Sequence, residues 1–377
     1  MKHVISAAPA ASAAPNPALS DPSFSADIIA WQQQHGRHAL PWQNTRDAYR
    51  IWLSEIMLQQ TQVATVIPYY ARFLQSFPSV ADLAQASTNQ VMEHWAGLGY
   101  YTRARNPHAC AKQVMAAHGG QFPARAQQLA ELPGIGRSTA AAIAAFSYGA
   151  RAAILDGNVK RVFARVFGIT EFPGSKAVEE QLWLRAEALL PAADAGTASG
   201  VEAYTQGLMD LGATVCTRSK PACERCPLRA RCVALQLNRV AELPIRKPKK
   251  AIPQKFATML VVVHQDQVLL LQRPPLGIWA DLLSLPEIDG HQPNASAFDR
   301  ARAELLLAKF GTIDQIQPLP PISHGFTHFK LAIEPWLVSL AKRHEFAAQG
   351  GHQWLDRADL AKAALPAPVK KLLLGLA

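Results

Sequence analysis

The chain is poor in acidic residues, sparing with cysteine, and free of long apolar runs. Its 377 residues carry 28 Asp and Glu against 38 Lys and Arg, a formal net charge of +10. That deficit of acid leaves a basic surface, which attracts polyanions. DNA, an anionic membrane surface and simple solubility all fit such a charge. No apolar stretch approaches the ~18 residues of a membrane span, so a spanning helix is excluded. There are only five cysteines, four of them between 216 and 232. That crowding excludes the spread framework of a disulfide-stapled secreted domain and suits a metal site in a reducing compartment. Residues 1–23 are rich in Ala, Pro and Ser without a sustained apolar core, and read as a disordered tail rather than a signal peptide.

The length allows two or three domains. Helical-period apolar patterns recur near 25–34, 51–66, 67–77, 89–96, 103–118, 125–131, 137–148, 158–167, 176–190 and 201–213. The segment Leu243-Pro244-Ile245-Arg246-Lys247-Pro248-Lys249-Lys250 is charged and proline-interrupted, and reads as a linker over about 241–255. Beyond it, Ala257–His264, Gln267–Arg273 and Lys330–Leu340 have strand composition, with a helix at about 296–310. An all-α region, 24–240, therefore precedes a smaller α+β domain, 256–377.

The four clustered cysteines are spaced Cys216-x6-Cys223-x2-Cys226-x5-Cys232. Pro221, Pro227 and nearby charges make this a surface loop, in which four thiolates hold either zinc or an iron–sulfur cluster. The spacing does not choose between them. Cys110, on a helical pattern, reads as a core thiol. Leu132-Pro133-Gly134-Ile135-Gly136-Arg137-Ser138-Thr139-Ala140 reads as a tight turn between two helices. Gly134 and Gly136 permit close backbone approach, so amides at the start of the second helix can face a phosphate; an αα corner with glycines for packing is the plainer alternative. Asp156 stands at a helix start in Ile154-Leu155-Asp156-Gly157-Asn158, a position that suits a cap and a catalytic group alike. Trp52–Gln62 reads as one helix, with Glu55 among Ile51, Trp52 and Leu58, and Gln59 and Gln62 on its face. A carboxyl in such company has its pKa raised and can act as a general acid; a half-exposed surface glutamate is the alternative.

Together with Leu40-Pro41-Trp42, Gly97-Leu98-Gly99-Tyr100-Tyr101 and Met209–Cys232, these motifs, in this order, resemble the adenine DNA glycosylase branch of the endonuclease III superfamily. The resemblance runs from about Phe24 to the C-terminus and weakens after 240. It implies a mostly α helix-hairpin-helix glycosylase fold with an Fe–S cluster loop, plus a C-terminal α+β Nudix-like domain. A six-helix module would span about 45–155, and an Fe–S module would combine 24–44 with 156–240. Glu55 is then the general acid, and Asp156 the carboxylate that stabilises an oxocarbenium-like sugar, in keeping with the two-carboxylate logic of glycosidic cleavage. Cys216, Cys223, Cys226 and Cys232 become the ligands of one 4Fe–4S cluster. Gln60, Thr61, Tyr100, Gly134, Gly136 and Ser138 fall at DNA-contacting positions, and Trp42 and Gln206 in an adenine pocket.

At position 138 the lyase relatives carry a lysine whose amine attacks the sugar. Serine forms no imine, so the expectation is a monofunctional enzyme. In the Nudix-like part, Asp299–Gly311 lacks the paired glutamates of a hydrolytic site. His324-Gly325-Phe326-Thr327-His328-Phe329 matches instead the loop that reads 8-oxoguanine, through Phe326, Thr327 and His328, with Thr327 where Ser is common in the family. The implied partner is double-stranded DNA with adenine opposite 8-oxoguanine or guanine. The implied protein is a cytoplasmic, nucleoid-associated monomer with no membrane role. A bifunctional or thymine-specific glycosylase of the same fold, or a non-catalytic Fe–S DNA-binding protein, are the rival readings.

Overall fold

Helices occupy the chain as far as Gln236 and strands dominate from Gln254 onward. The computed structural model describes residues 20–95, 98, 102–192, 198–247, 252–274, 277–288, 300–326, 328–344 and 351–376. The tail residues 1–19, Tyr100 and Thr327 lie outside the described residues.

The helices are α1 (Pro22–His35), α2 (Ala48–Leu58), α3 (Val63–Ser76), α4 (Val80–Gln85), α5 (Thr88–Trp95), α6 (Thr102–His118), α7 (Ala126–Leu129), α8 (Arg137–Tyr148), α9 (Gly157–Val166), α10 (Lys176–Ala188), α11 (Ala198–Asp210) and α12 (Val233–Gln236). Their residues, with the sheet, fall into two units. One holds the chain up to Tyr70, Ser79–Ala81 and Cys110 onward through the helical region; the other holds Ala71–Pro78, Asp82–Ala109 and the chain from 252.

In the first unit, α1 begins inside the segment read as a tail. Asp21 supplies the reason: its carboxylate accepts from the amides of Ser23 (3.1 Å) and Phe24 (3.3 Å), and Pro22 opens the helix. Phe24 and Ile28 are buried in a core with Ile154, Leu155, Phe163 and Leu208. Helix α8 packs through Ala140–Ala145, all within 2% of full burial, and ends in a left-handed cap at Gly149.

One helix of the sequence reading is corrected. Trp52–Gln62 is not continuous: α2 ends at Leu58, and Gln60 takes a left-handed backbone (φ 58°) before α3 starts at Val63. Gln62 therefore does not share the face of Glu55. The apolar period ran through a turn because Thr61 and Gln62 preserve its polar phase.

In the second unit, β1 (Gln254–His264), β2 (Gln267–Gln272), β3 (Leu283–Ser284), β4 (Glu287–Ile288), β5 (Gly311–Pro318), β6 (Ile322–Gly325), β7 (Lys330–Arg343) and β8 (His352–Asp356) form one mixed sheet. Its path runs β3-β2-β1-β7-β5, with β1 and β7 parallel over ten residue pairs from Gln254↔Lys330 to Val263↔Ser339. β5 and β6 both pair antiparallel to β7. Helix α13 (Arg300–Leu307) falls between β4 and β5, and α14 (Ala367–Leu374) follows β8. Ala303, Leu307 and Phe310 pack on Leu260, Leu269 and Val338. The helix expected at 296–310 is described from Arg300 and ends at Leu307, three residues early, with 296–299 outside the described residues, and β5, β6, β8 and α14 carry too little alternation to stand out in the sequence.

Helices α1 and α11 meet at Gly207, where an added Cβ would lie 2.6 Å from Ile28 Cγ2 and 3.1 Å from the Ile28 carbonyl oxygen. Neither backbone nor branched side chain yields easily there. Gly207→Ala is expected to destabilise the protein by about 1–3 kcal/mol, checked by urea unfolding.

Candidate active site

An apolar stretch, Ala153-Ile154-Leu155, runs buried into the start of α9 and delivers Asp156 as its N-cap. Asp156 Oδ1 accepts from the amides of Asn158 (2.9 Å) and Val159 (2.8 Å). The residue before it is fixed as well, since the Leu155 amide donates to Ser138 Oγ at 3.0 Å. Ser138, singled out for the amine it lacks, thus braces the strand that carries the carboxylate. Burial pushes the Asp156 carboxyl up; the two cap amides, Arg161 and Lys160 act in the opposite direction.

Glu55 projects from α2 into a cleft of about 800 Å³. Burial, and then the negative charge of Asp156, push its carboxyl up to about 8. At neutral pH it therefore holds a proton, beside a second carboxyl that is better placed to lose one. The same cleft is lined by Trp42, Gln206, Ser54, Arg37 and Glu202. Trp42 is 8% exposed and edge-on to Tyr70, with ring centroids 5.4 Å apart. Gln206 Nε2 donates to Asp210 Oδ1 at 2.8 Å, which turns the carbonyl end of the amide away from that contact. Asp210 is wholly buried and also accepts from the Arg37 amide (2.8 Å) and Nε (2.7 Å). Arg37 and Asp210 escaped the sequence reading, although Asp210 sits one helical turn from Gln206 on α11 and that spacing was the available signal. The Arg46–Glu202 ion pair (2.7 Å) at the same cleft had no local signal.

The hairpin lies between α7 and α8. Gly134 has φ 78°, the left-handed region that its turn requires. Gly136 caps α8 with no side-chain hydrogen bond, and a Cβ there would meet nothing within 4 Å. Among the described residues nothing packs against position 136, which faces open space. The first amides of α8 are open to an anion.

Cys216, Cys223, Cys226 and Cys232 line one small apolar cavity together with residues of α9. All are free thiols, as is the fully buried Cys110, whose thiol burial pushes up to about 12. Among the described residues no group of three or more His, Cys, Asp or Glu is placed to hold a single metal ion. The donor surroundings suit an anionic group. Arg165, 2% exposed, donates to Cys216 Sγ (3.3 Å), to Thr217 O (2.8 Å) and to Leu243 O (2.9 Å). A buried guanidinium among carbonyls and a sulfur calls for negative charge nearby. The residues present therefore fit a four-cysteine iron–sulfur cluster.

Gln60 and Thr61 do not line the cleft. Gln60 is exposed and Thr61 half-buried in the turn after α2. In the second unit, Phe326 and His328 stand in the β6–β7 hairpin, where the Phe326 amide donates to Phe329 O (2.8 Å) and the two rings stack at 4.5 Å. Helix α13 has a single acidic residue, Glu304, already paired with Arg300 at 2.8 Å.

Residues 53–188 match the HhH-GPD superfamily of base excision DNA repair proteins, and residues 257–375 match the NUDIX domain. A solved structure of a thermostable thymine-DNA glycosylase superposes on 57% of this chain and 96% of its own, with TM-score 0.51 and 28% identity. The class defined by fold and site is thus a DNA N-glycosylase with an appended Nudix domain. The adenine DNA glycosylase of Buchnera aphidicola (subsp. Acyrthosiphon pisum, strain APS) is 34% identical over 354 residues, covering 93% of this chain and 96% of that protein. The human adenine DNA glycosylase is 32% identical over 407 residues, covering 93% and 73%. The chain belongs to the adenine DNA glycosylase family. Among the described residues no helix is long and apolar enough to cross a membrane.

The Glu55 environment fixes two pH dependences. The rate of a reaction that needs its proton should fall as pH rises through about 8. Stability follows the same group: between the ordinary value of 4.5 and about 8 the folded state holds a proton that the unfolded state has lost. Wild-type stability should therefore fall across that window by about 1.4 kcal/mol per pH unit relative to Glu55→Gln, and run parallel to it outside. Urea unfolding of both proteins from pH 4 to about pH 9 checks this.

Proposed function

We propose that the protein removes adenine from DNA where it is paired with 8-oxoguanine or guanine, hydrolysing the N-glycosidic bond and leaving an abasic site. The observation that carries this reading is a protonated Glu55, beside Asp156, facing a cleft of about 800 Å³, roomy enough for a base turned out of the duplex. The base must leave the duplex to reach such a cleft. Glu55 gives its proton to adenine N7, which turns the base into a neutral leaving group. Asp156 offsets the positive charge that develops on the sugar, and water completes the hydrolysis. Trp42 and Gln206 hold the base. Gly134, Gly136 and the first amides of α8 hold a phosphate, and Gln60, Thr61 and Tyr100 contact the duplex. Phe326, Thr327 and His328 read the opposite base.

Ser138 offers no amine to the sugar, which supports a monofunctional enzyme. The four cysteines would hold one 4Fe–4S cluster, whose chemistry here is structural: it cross-links a loop that offers little core of its own. The protein acts as a monomer, in the cytoplasm, and on the nucleoid if its source is bacterial. Residues 24–240 make up the glycosylase region, 241–255 a linker and 256–377 the Nudix-like domain. Excision of thymine is the second reading, favoured by the likeness to a thymine-DNA glycosylase structure.

Single-turnover assays on duplexes holding A opposite 8-oxoguanine, A opposite G, A opposite T and T opposite G separate these readings. Fast adenine release opposite 8-oxoguanine, slower release opposite G and none opposite T are expected, with Glu55→Gln slower by on the order of a hundred- to ten-thousand-fold. Borohydride should trap no protein–DNA imine; thymine release or a trapped imine overturns the assignment. Elemental analysis of the purified protein should give iron and acid-labile sulfide in equal amounts and no zinc, and Cys226→Ser should lose both.

A further inference from the structure

The second unit contains a short segment whose backbone is unusual. Trp279 (φ 55°) and Asp281 (φ 61°) both occupy the left-handed region within three residues, and neither is glycine. For a bulky residue such as tryptophan that conformation is disfavoured, and it persists only where the surroundings enforce it. The enforcement is visible. The Leu282 amide donates to Trp279 O (3.1 Å), the Arg273 amide to Leu282 O (2.8 Å), and the Asp281 amide to Pro274 O (3.3 Å). Asp281 also pairs with Arg105 of α6 at 3.3 Å.

What this segment supports is the β6–β7 hairpin. The Trp279 ring, 6% exposed, lies 5.9 Å from His324 and 5.5 Å from Phe326 between ring centroids. His324 in turn meets Phe326 edge-on at 4.8 Å. The indole is therefore the fixed wall of an aromatic stack whose outer members belong to the loop assigned above to the base opposite adenine. A half-exposed phenylalanine on a turn has many rotamers; stacking on a buried indole leaves it few.

We propose that Trp279 and Asp281 are positioning residues for opposite-base recognition: the strained turn sets His324 and Phe326 of the β6–β7 hairpin, and the Arg105–Asp281 pair anchors that turn to α6. The inference rests on the reading of the loop given under Proposed function. A turn that only completed the sheet would not need an aromatic in a left-handed backbone pressed on the loop. Glycine or asparagine would serve there without strain.

The test is single-turnover adenine release by the full chain from two duplexes, with A opposite 8-oxoguanine and A opposite G. The proteins compared are the wild type, Trp279→Ala, Trp279→Phe and Asp281→Asn. Asparagine tolerates the left-handed backbone, so Asp281→Asn removes the charge without unfolding the turn. Trp279→Ala should lower the preference for 8-oxoguanine over guanine by about tenfold, the effect of losing two ring contacts, with the A:G rate within about twofold of wild type. Trp279→Phe should restore most of the preference, and Asp281→Asn should lower it to a smaller degree. A wild-type preference retained in both Trp279→Ala and Asp281→Asn overturns the inference alone. Equal loss of both rates in Trp279→Ala and Asp281→Asn also overturns it, by making the turn a general structural element. A wild-type chain with no preference between the two duplexes overturns the reading of the loop as well.

Discussion

Two carboxyl groups, Glu55 and Asp156, lie close enough for the charge of one to raise the other, and the arrangement depends on their being treated differently. Glu55 feels only burial and the charge of Asp156, and both favour its neutral form. Asp156 is buried too, but it receives two backbone amides and lies near Arg161 and Lys160, all of which favour its anion. Burial raises both carboxyls, and the amides and cations around Asp156 offset part of that rise there but not at Glu55. On the proposed reading this difference in surroundings suits Glu55 to give a proton and Asp156 to offset charge, from environment rather than residue type. The cap geometry does this with no additional side chain, because the amides at the start of α9 are unsatisfied until something accepts from them.

Helix α9 carries the consequences further. Its first turn is capped by Asp156, and its arginines hold the cysteine loop. Arg161 donates from Nη2 to Asn158 Oδ1 (2.8 Å) and Gly212 O (2.7 Å), and from Nε to Cys216 O (2.7 Å). Arg165 reaches Cys216 Sγ and the carbonyl of Leu243. A loop with little apolar content is tied to the helix whose start places the reactive carboxylate. Displacing the loop removes the partners of two guanidinium groups at once, one fully buried and the other half-buried, which is costlier than exposing surface. The cysteines thus matter to the cleft through α9, although they do not line it.

The sequence was most legible where a local rule suffices. Asp156 reads as a helix cap from its neighbours, and the α7–α8 hairpin from its glycines. Core helices such as α8 follow from their alanines. Legibility failed where three-dimensional proximity decides. The stop of α2 at Leu58 was hidden because Gln59–Gln62 prolong the polar phase while Gln60 turns left-handed. Arg37 and Asp210, 173 residues apart, form a partly buried ion pair that no window contains. Trp279 lay in an unremarkable stretch, and only its backbone angle and ring neighbours single it out. Ser138 was singled out for the group it lacks; its bond to the Leu155 amide needed coordinates.

The division into two recognition elements has a physical logic on the proposed reading. Adenine is an undamaged base, so a cleft shaped to it carries no information about whether that adenine was correctly paired. Hydrogen bonds from Gln206 or stacking on Trp42 would favour any flipped adenine equally. Discrimination must then come from the partner base, through an element that the cleft does not contain. A Nudix-type sheet offers a rigid edge on which a hairpin can be set. The one acid on α13 is already bound to Arg300, so the described part of that helix has no free carboxylate with which to bind a catalytic metal. What remains is a binding surface whose loop is stiffened by aromatic contacts instead of by a bound ion. The affinity of that loop for one base over another is then the quantity that separates mispaired from ordinary adenine, and the chemistry at Glu55 and Asp156 needs no selectivity of its own.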